Sequence, residues 1–173
     1  MKFTITKQKN IFIASFLFLL IISTLSACKK KKIEPKLPAV TMEGKNTFGC
    51  FFGSDIWIPE LTLSNSLMVD YSDRGMLIIE CKRRDRTNVK GSDMMTIKIK
   101  DIFQPGVYEI SEVEVSSGSE HYFLDDSGKI SITLIDNNRH IVSGTFDFQL
   151  KERSSSKIIH VSAGRFDVVY INY

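Results

Sequence analysis

The cysteine at position 28 has the surroundings that point most directly to a chemical reaction. It closes the stretch LSAC at residues 25–28, and the twelve residues 11–22 are apolar except for Ser15. Basic residues near the start of a chain, an apolar run of about 7–15 residues and small residues before a cleavage point are typical of a secretory signal. The run is too short to span a bilayer, which needs about 20 residues. We therefore expect residues 1–27 to be a signal peptide that is not part of the fold.

The tetrapeptide LSAC resembles the lipobox of bacterial lipoproteins, in which the chain is cut just before a cysteine whose thiol is then acylated. The resemblance implies that Cys28 carries acyl chains such as palmitate, each buried CH₂ contributing about 0.8 kcal/mol to membrane binding. The alternative is an ordinary cysteine after a plain cleavage site. Lys29–Lys32 follow directly, and each basic residue near anionic lipid contributes about 1 kcal/mol. Residues 28–45 would then be a lipidated tether.

The residues that follow Cys28 also bear on where the protein lies. A lysine rather than an acidic residue at position 29 favours the outer membrane. Some surface-displayed lipoproteins carry acidic residues where Lys29–Lys32 stand here, so the lysines favour the periplasmic face. We expect a cell-envelope protein with no nucleic-acid partner.

Cys50 and Cys81 are two further cysteines. An exported domain lies in an oxidising compartment, where they could form a disulfide. They could also be buried free thiols, which behave as small apolar side chains. Both alternatives stay open, because a disulfide requires Cα atoms within about 7 Å and the sequence does not show that distance.

The three histidines are candidates for a metal site. If residues 151–156 form a hairpin turn, His160 lies near Asp147, while His140 and His121 lie elsewhere along the sheet. No short ligand spacing connects them, so surface or edge positions are expected instead. We expect no metal and no cofactor.

Sequence patterns for catalysis are also missing. No serine stands in a Gly-x-Ser-x-Gly motif. Asp125-Asp126-Ser127-Gly128 lacks the spaced acids of a calcium loop and is expected to be a β-turn. The run Arg83-Arg84-Asp85-Arg86 is expected to be a solvated loop. We therefore expect no catalytic residues and no enzyme.

Charge and length point to one moderately sized domain. Lys2, Lys7 and Lys9 leave with the signal and Lys29–Lys32 belong to the tether, so the remainder carries 16 basic and 20 acidic side chains. Such a slightly acidic domain offers no stripe for phosphate groups. We expect a single β domain at residues 46–173.

The pattern of apolar residues predicts strands rather than helices. Residues alternate between apolar and polar along 95–100 and along 145–150, and turn residues separate such stretches. Met95, Ile97 and Ile99 are expected to share one face of their strand, and Phe146, Phe148 and Leu150 one face of theirs. In the last strand, Phe166, Val168 and Tyr170 are expected to face the core. The polar stretch 111–120 is expected to be a loop or an edge, and Gly164 is expected to mark a bulge. Short connections of about 2–6 residues join antiparallel neighbours. The fold class is therefore all-β, an antiparallel meander of about nine or ten strands, closed as a barrel or split into a two-sheet sandwich.

Two stretches resemble a family of uncharacterised lipoproteins from Bacteroidota. The N-terminal pattern is Leu-Pro-x-x-Thr, then Gly-x-Asn-Thr-Phe-Gly-Cys, then Trp-x-Pro. The C-terminal pattern is a Ser-Gly-Thr-Phe-x-Phe strand at 143–148 and a Gly-Arg-Phe-Asp strand at 164–167. The N-terminal matches are Leu37, Pro38, Thr41, Gly44, Asn46, Thr47, Phe48, Gly49, Cys50, Trp57 and Pro59. The resemblance implies an all-β lipoprotein and supplies no catalytic residue.

The motif residues can also be interpreted physically. Asn46 and Thr47 are expected to bond the backbone where the tether enters the sheet, and Gly49 to permit a close approach by another strand or by Trp57. Phe51, Phe52 and Trp57 are candidates for an exposed patch that binds a ligand or partner, since their strands carry aromatic residues on both faces.

These observations favour a non-catalytic binding or accessory domain, anchored through Cys28. Its partner would be a glycan, a small apolar ligand or an outer-membrane protein. The alternatives are a purely structural envelope protein and a small periplasmic hydrolase. A ligand cavity would favour binding, and a closed core without one would favour the structural role.

Overall fold

The computed structural model describes residues 36–60, 65–84 and 92–171, apart from the side chain of Arg84. The chain divides into two compact units, Met1–Glu34 and Pro35–Tyr173. The expected signal peptide, Cys28 and the start of the expected tether lie outside the described residues. No helix in the described ranges has the length and apolarity needed to cross a membrane.

Ten β-strands make up the described part of the chain. They are β1 (Thr47–Phe52), β2 (Asp55–Trp57), β3 (Leu67–Tyr71), β4 (Leu77–Arg84), β5 (Ser92–Ile99), β6 (Gly106–Glu109), β7 (Glu112–Ser117), β8 (Glu120–Asp136), β9 (Ile141–Glu152) and β10 (Ile158–Val169). The predicted fold class, all-β with about ten antiparallel strands, is confirmed.

The strands form one sheet in the order β2-β1-β10-β9-β8-β7-β5-β4-β3, and β6 pairs with β8 outside this path. The sheet curls into a half-barrel. A parallel bridge between Asp70 of β3 and Ile171 joins one edge to the chain just after β10. The amide of Glu60, after β2, donates to the carbonyl of Lys82 in β4 at 2.9 Å. These two contacts connect the β3–β4 side of the sheet to the chain that follows β10 and β2.

The concave face holds the core because side chains alternate across each strand. The predicted inward positions on β5, β9 and β10 are confirmed. These buried residues are Met95, Ile97 and Ile99 of β5, Phe146, Phe148 and Leu150 of β9, and Phe166 and Val168 of β10 with Tyr170 after it. Each fully buried side chain of this size contributes about 1.5–3 kcal/mol.

Three local predictions have different outcomes. The stretch expected to be a loop or an edge contains strand β7, which pairs with both β5 and β8 and is therefore neither. The turn expected at Asp125–Gly128 is instead an irregularity inside β8, where the register with β9 shifts between Leu124 and Gly128. The bulge expected at Gly164 is confirmed, since the register of β10 shifts between Val161 and Gly164. A Cβ at Gly164 would lie 2.2 Å from the ring of Phe146, so the position has no room for a side chain.

Candidate functional site

The aromatic patch predicted from the sequence is not formed, because Trp57 is a core residue. Its exposed fraction is 1%, and its ring packs edge-to-face on Phe48 with 5.9 Å between centroids. Phe51 and Phe52 are half-buried. A tryptophan within a three-residue strand gives too little alternation to show which face is buried.

Cys50 and Cys81 are buried free thiols in the structure. Burial raises the pKa of the Cys50 thiol to about 12, against a smaller opposing effect of Arg83. Burial, followed by the neighbouring Cys50 and Glu80, raises the pKa of the Cys81 thiol as well. Both side chains are therefore neutral and apolar at physiological pH, and neither is an activated nucleophile.

The motif residues from the two ends of the chain meet at Asp167 of β10. Its exposed fraction is 1%, and its two oxygens accept five hydrogen bonds. Oδ2 accepts from the Thr41 hydroxyl at 2.6 Å, the Glu43 amide at 3.0 Å and the Lys45 amide at 3.3 Å. Oδ1 accepts from the Gly44 amide and the Ser143 hydroxyl, both at 2.8 Å. We call this arrangement the Asp167 anchor.

Further contacts hold the same segment on the sheet. The guanidinium of Arg165 donates to the carbonyl of Pro38 at 3.2 Å, and Asn46 Oδ1 accepts from the amide of Val169 at 2.8 Å. A Cβ at Gly49 would lie 2.7 Å from the Pro38 ring. Residues 37–45, which we expected to be part of the tether, are thus packed onto the folded unit.

The role expected for Asn46 is confirmed, and that expected for Thr47 is wrong. The Thr47 hydroxyl is buried without a hydrogen-bond partner among the described residues. Gly49 permits a close approach, but by Pro38 and Leu37 of the N-terminal segment rather than by Trp57.

The electrostatics of the Asp167 anchor follow from its hydrogen bonds. Burial by itself would raise the pKa of Asp167, but the hydroxyls of Thr41 and Ser143 and the amides of Glu43 and Gly44 outweigh it and lower the pKa to about 2. These groups stabilise the ionised carboxylate, so every part of the anchor is satisfied without a ligand.

A cleft of about 610 Å³ opens at one end of the concave face. Its apolar wall includes Phe52 and Ile159, and its polar wall includes Asp55, Glu120 and Lys157. Three serines, at positions 54, 117 and 119, also line it. This volume lies in the range of small-molecule sites, roughly 300–1,000 Å³. We call it the concave cleft.

An ion pair forms the floor of the concave cleft. Arg83 of β4 and Asp93 of β5 are directly opposite in the register, and Arg83 Nε donates to Asp93 Oδ2 at 2.8 Å. The guanidinium lies over the ring of Trp57, with its Cζ atom 5.3 Å from the ring centroid. Arg83 therefore belongs to a strand and not to the solvated loop that we expected.

Asp93 is incompletely satisfied. Its exposed fraction is 2%, yet its second oxygen, Oδ1, has no hydrogen-bond partner in the described part of the chain. Buried carboxylate oxygens without partners are uncommon, because desolvation of a charged group is costly. The cleft thus contains one hydrogen-bond acceptor, Asp93 Oδ1, to which no described residue donates.

Tyr122 of β8 forms the opposite wall. Its hydroxyl donates to Glu120, and Lys157 Nζ donates to the same hydroxyl oxygen at 3.3 Å. Its ring lies edge-to-face with Phe52, with 5.5 Å between centroids. Burial, and then the hydrogen bond to Glu120, raises the pKa of the Tyr122 phenol, which therefore stays neutral.

None of the three histidines is among the described residues that line the concave cleft. The predicted proximity of His160 to Asp147 is confirmed by a 2.7 Å contact between Nε2 and Oδ1. His140 stacks on Tyr170 with 5.3 Å between centroids. In the ranges that the structure describes, no group of three or more histidines, cysteines or acids could hold a metal ion.

A smaller groove of about 350 Å³ lies on the convex face, between Val40 and Val107. Lys129, Asp147 and Arg165 line it. Arg165 donates to the carbonyls of Pro38 and Ala163. No buried unpartnered atom lies among its lining residues within the described ranges, so the concave cleft is the stronger candidate for a binding site.

Sequence reasoning missed Asp93, although one signal could have found it. Asp93 stands at the inward position that precedes Met95, Ile97 and Ile99 along β5. An acidic residue that shares the inward face of a strand with core residues is expected to be in an ion pair or to have a function. Its partner, Arg83, continues the inward row of Cys81 on the adjacent strand in the same way.

The fold and the cleft define a class: a single-sheet, half-barrel β domain with a polar cleft at one end of its core. The chain belongs to the family described as domain of unknown function DUF6252, whose profile matches residues 64–169. The match covers β3–β10 and therefore includes Arg83, Asp93, Tyr122 and Asp167. No curated protein matches the chain, and no solved structure matches it.

Proposed function

We propose that this protein is a lipid-anchored binding protein of the outer membrane, exposed on the periplasmic face, whose concave cleft holds a ligand without catalysing a reaction. The LSAC stretch and the four lysines after it support the anchoring through Cys28. Its resemblance to lipoproteins of Bacteroidota supports the same location.

The observation that carries the binding function is the free oxygen of Asp93. A buried carboxylate costs several kcal/mol to desolvate, and the loss is offset only when the charge is paired and its lone pairs accept hydrogen bonds. Arg83 satisfies one oxygen of Asp93, and no described residue donates to the other. A ligand that donates a hydrogen bond to Oδ1 would complete the site.

The same residues favour binding over hydrolysis. Neither a histidine nor a cysteine is among the described residues that line the concave cleft. Asp93 accepts from Arg83, and Glu120 accepts from Tyr122, so each carboxylate is already engaged by a neighbouring side chain. The purely structural alternative would require a core without an accessible cleft.

Binding can be tested with a set of neutral, cationic and anionic fragment molecules added to the isotope-labelled full chain in detergent micelles. Amide chemical shifts identify the contacted residues. We expect hits to cluster at Phe52, Asp93 and Tyr122. Hits scattered over the convex face, or no hits, would refute a binding role for the cleft.

A matched pair of variants sharpens this test. Ser119 is an exposed cleft residue just after β7, and Ser111 is an exposed residue just before it. Ser119→Trp should fill the cleft and abolish the shifts, whereas Ser111→Trp should leave them unchanged. Equal effects of the two tryptophans would show that the shifts do not report on the cleft.

The anchor is tested separately by growing cells with an alkyne analogue of palmitate. The wild-type chain should become labelled and should fractionate with outer membranes. The Cys28→Ser variant should do neither. Labelling that persists in Cys28→Ser would place the lipid elsewhere, and an unlabelled wild type would remove the lipoprotein assignment.

A further inference from the structure

We infer that the ligand of the concave cleft is a neutral saccharide, one of whose hydroxyl groups donates to Asp93 Oδ1. This inference rests on the proposed binding function and specifies its ligand class. Three properties of the cleft lead to it: the acceptor that is left free, the balance of charge and the aromatic wall.

The free acceptor requires a ligand that carries a donor. Asp93 Oδ1 is buried and unpartnered within the described structure, so an apolar ligand placed over it would leave the carboxylate desolvated and unsatisfied. Such an arrangement costs about 1–3 kcal/mol, and more for a charged group. The exposed serines 54 and 119 offer further hydroxyls around the opening. The cleft therefore suits a ligand with several hydroxyl groups.

The charges in the cleft argue against an ionic ligand. Arg83 is already paired with Asp93 at 2.8 Å, and Lys157 lies 3.9 Å from Glu120. Among the described residues that line the cleft, no cation is thus left uncompensated to receive a phosphate or carboxylate, and Asp55 adds a negative charge at the opening. A cationic donor to Asp93 would in turn approach the guanidinium of Arg83. A neutral hydroxyl avoids both repulsions.

The aromatic wall suits the less polar face of a sugar ring. Phe52 and Tyr122 meet at an interplanar angle of 85°, and Ile159 extends the apolar surface beside them. The face of an aromatic ring carries partial negative charge and attracts polarised C–H groups. A saccharide has polar hydroxyls at its edge and C–H groups on its faces, which matches a carboxylate floor beside an aromatic wall.

The test uses the full chain in detergent on a microarray of neutral, sulfated and uronic-acid-containing oligosaccharides, followed by calorimetric titration of the saccharide bound best. We expect neutral glycans to be selected. Asp93→Asn should weaken that binding about 10- to 100-fold, as expected for losing a hydrogen bond to a charged acceptor. Asp147→Asn, at an exposed aspartate of the convex face, is the matched control and should bind like wild type.

Thermal unfolding of each variant separates lost binding from lost folding. If Asp93→Asn unfolds, the same titration is made with Phe52→Leu, which removes the ring and keeps an apolar side chain, and binding should again fall. Binding that survives both substitutions would overturn the inference, as would selection of anionic glycans. If fragments contact the cleft but no saccharide binds, the saccharide class is wrong and the binding function stands. If neither binds, both proposals fail.

Discussion

Two aspartates of this protein are buried to the same extent but differ in the number of hydrogen bonds that their carboxylates accept. Asp167 and Asp93 have exposed fractions of 1% and 2%. Asp167 accepts five hydrogen bonds from the N-terminal segment and Ser143. Within the part of the chain that the structure describes, Asp93 accepts one hydrogen bond, from Arg83, and its other oxygen has no partner.

The difference separates a structural carboxylate from one that is available for recognition. The Asp167 anchor uses its hydrogen bonds to hold the segment that leads from the proposed lipid anchor, so its ionised form is strongly stabilised. Asp93 pairs with a neighbouring strand only through Oδ2, so its burial contributes less to stability than full pairing would. Stability and binding measurements on the two residues should therefore give opposite results.

The largest expected effect on stability is that of Asp167→Ala. This change leaves the amides of residues 43–45 and the hydroxyls of Thr41 and Ser143 without their acceptor, so we expect the free energy of unfolding to fall by about 3 kcal/mol. Urea unfolding of the full chain in detergent measures it. The exposed Asp147→Ala is the control and should change stability by no more than about 0.5 kcal/mol. A similar loss in both variants would remove the distinction between anchor and surface.

The next effect depends on pH. The pKa of Asp167 is about 2 in the folded chain, compared with an ordinary value of 3.8. Its ionised form therefore adds about 2 kcal/mol to stability, fully present above about pH 4 and lost as the pH falls through the folded value near 2.

This dependence is checked by comparing wild type with Asp167→Asn, which cannot titrate at this position. The difference in unfolding free energy between the two should be constant above about pH 4 and should shrink steadily between pH 4 and pH 2. A difference that does not change over this range would show that folding does not lower the pKa of the Asp167 carboxyl.

A smaller effect is expected for Thr41→Val. The substitution keeps the shape of the side chain and removes the hydroxyl that donates to Asp167 Oδ2 at 2.6 Å. The amides of Glu43 and Lys45 still donate to the same oxygen, so the loss should be about 1.5 kcal/mol, the lower range for a hydrogen bond to a charged group. In the Asp167→Ala background, Thr41→Val should have almost no effect, because the partner is already gone. Additive losses would contradict the hydrogen bond.

The alternation of apolar and polar residues predicts where the strands lie better than it predicts which strands pair with each other. Alternation places Met95, Ile97 and Phe146 inward because side chains in a strand repeat every two residues. It misses β7, whose only buried residues are Val113 and Val115. It also treats Asp125–Gly128 as a turn, because the residues that form turns also allow a bulge, here with Asp126 at a φ of 63°.

The two aspartates differ in how far the sequence could have revealed them. Asp93 stands at the inward position just before a row of apolar residues on β5, so its burial can be inferred from that strand alone. Asp167 acquires four of its five partners from residues more than 120 positions away along the chain, through the pairing of β1 with β10. No periodicity encodes that pairing, and the motif resemblance marked the residues without showing that they meet.

Asp93→Asn is expected to change stability least, and it distinguishes best between a structural and a ligand-binding role of Asp93. The substitution removes a buried charge whose desolvation is only half compensated, and it also weakens the hydrogen bond from Arg83. The amide oxygen of the introduced asparagine can still accept from Arg83, so these opposing effects should keep the free energy of unfolding within about 1 kcal/mol of wild type. Urea unfolding under the conditions used for Asp167→Ala provides the comparison. A loss near 3 kcal/mol would mean that Asp93 is as structural as Asp167, and the free oxygen would then no longer support a ligand site. If Asp93→Asn leaves stability unchanged and weakens saccharide binding, the two carboxylates have different roles. Asp167 then holds the N-terminal segment on the sheet, and Asp93 binds the ligand.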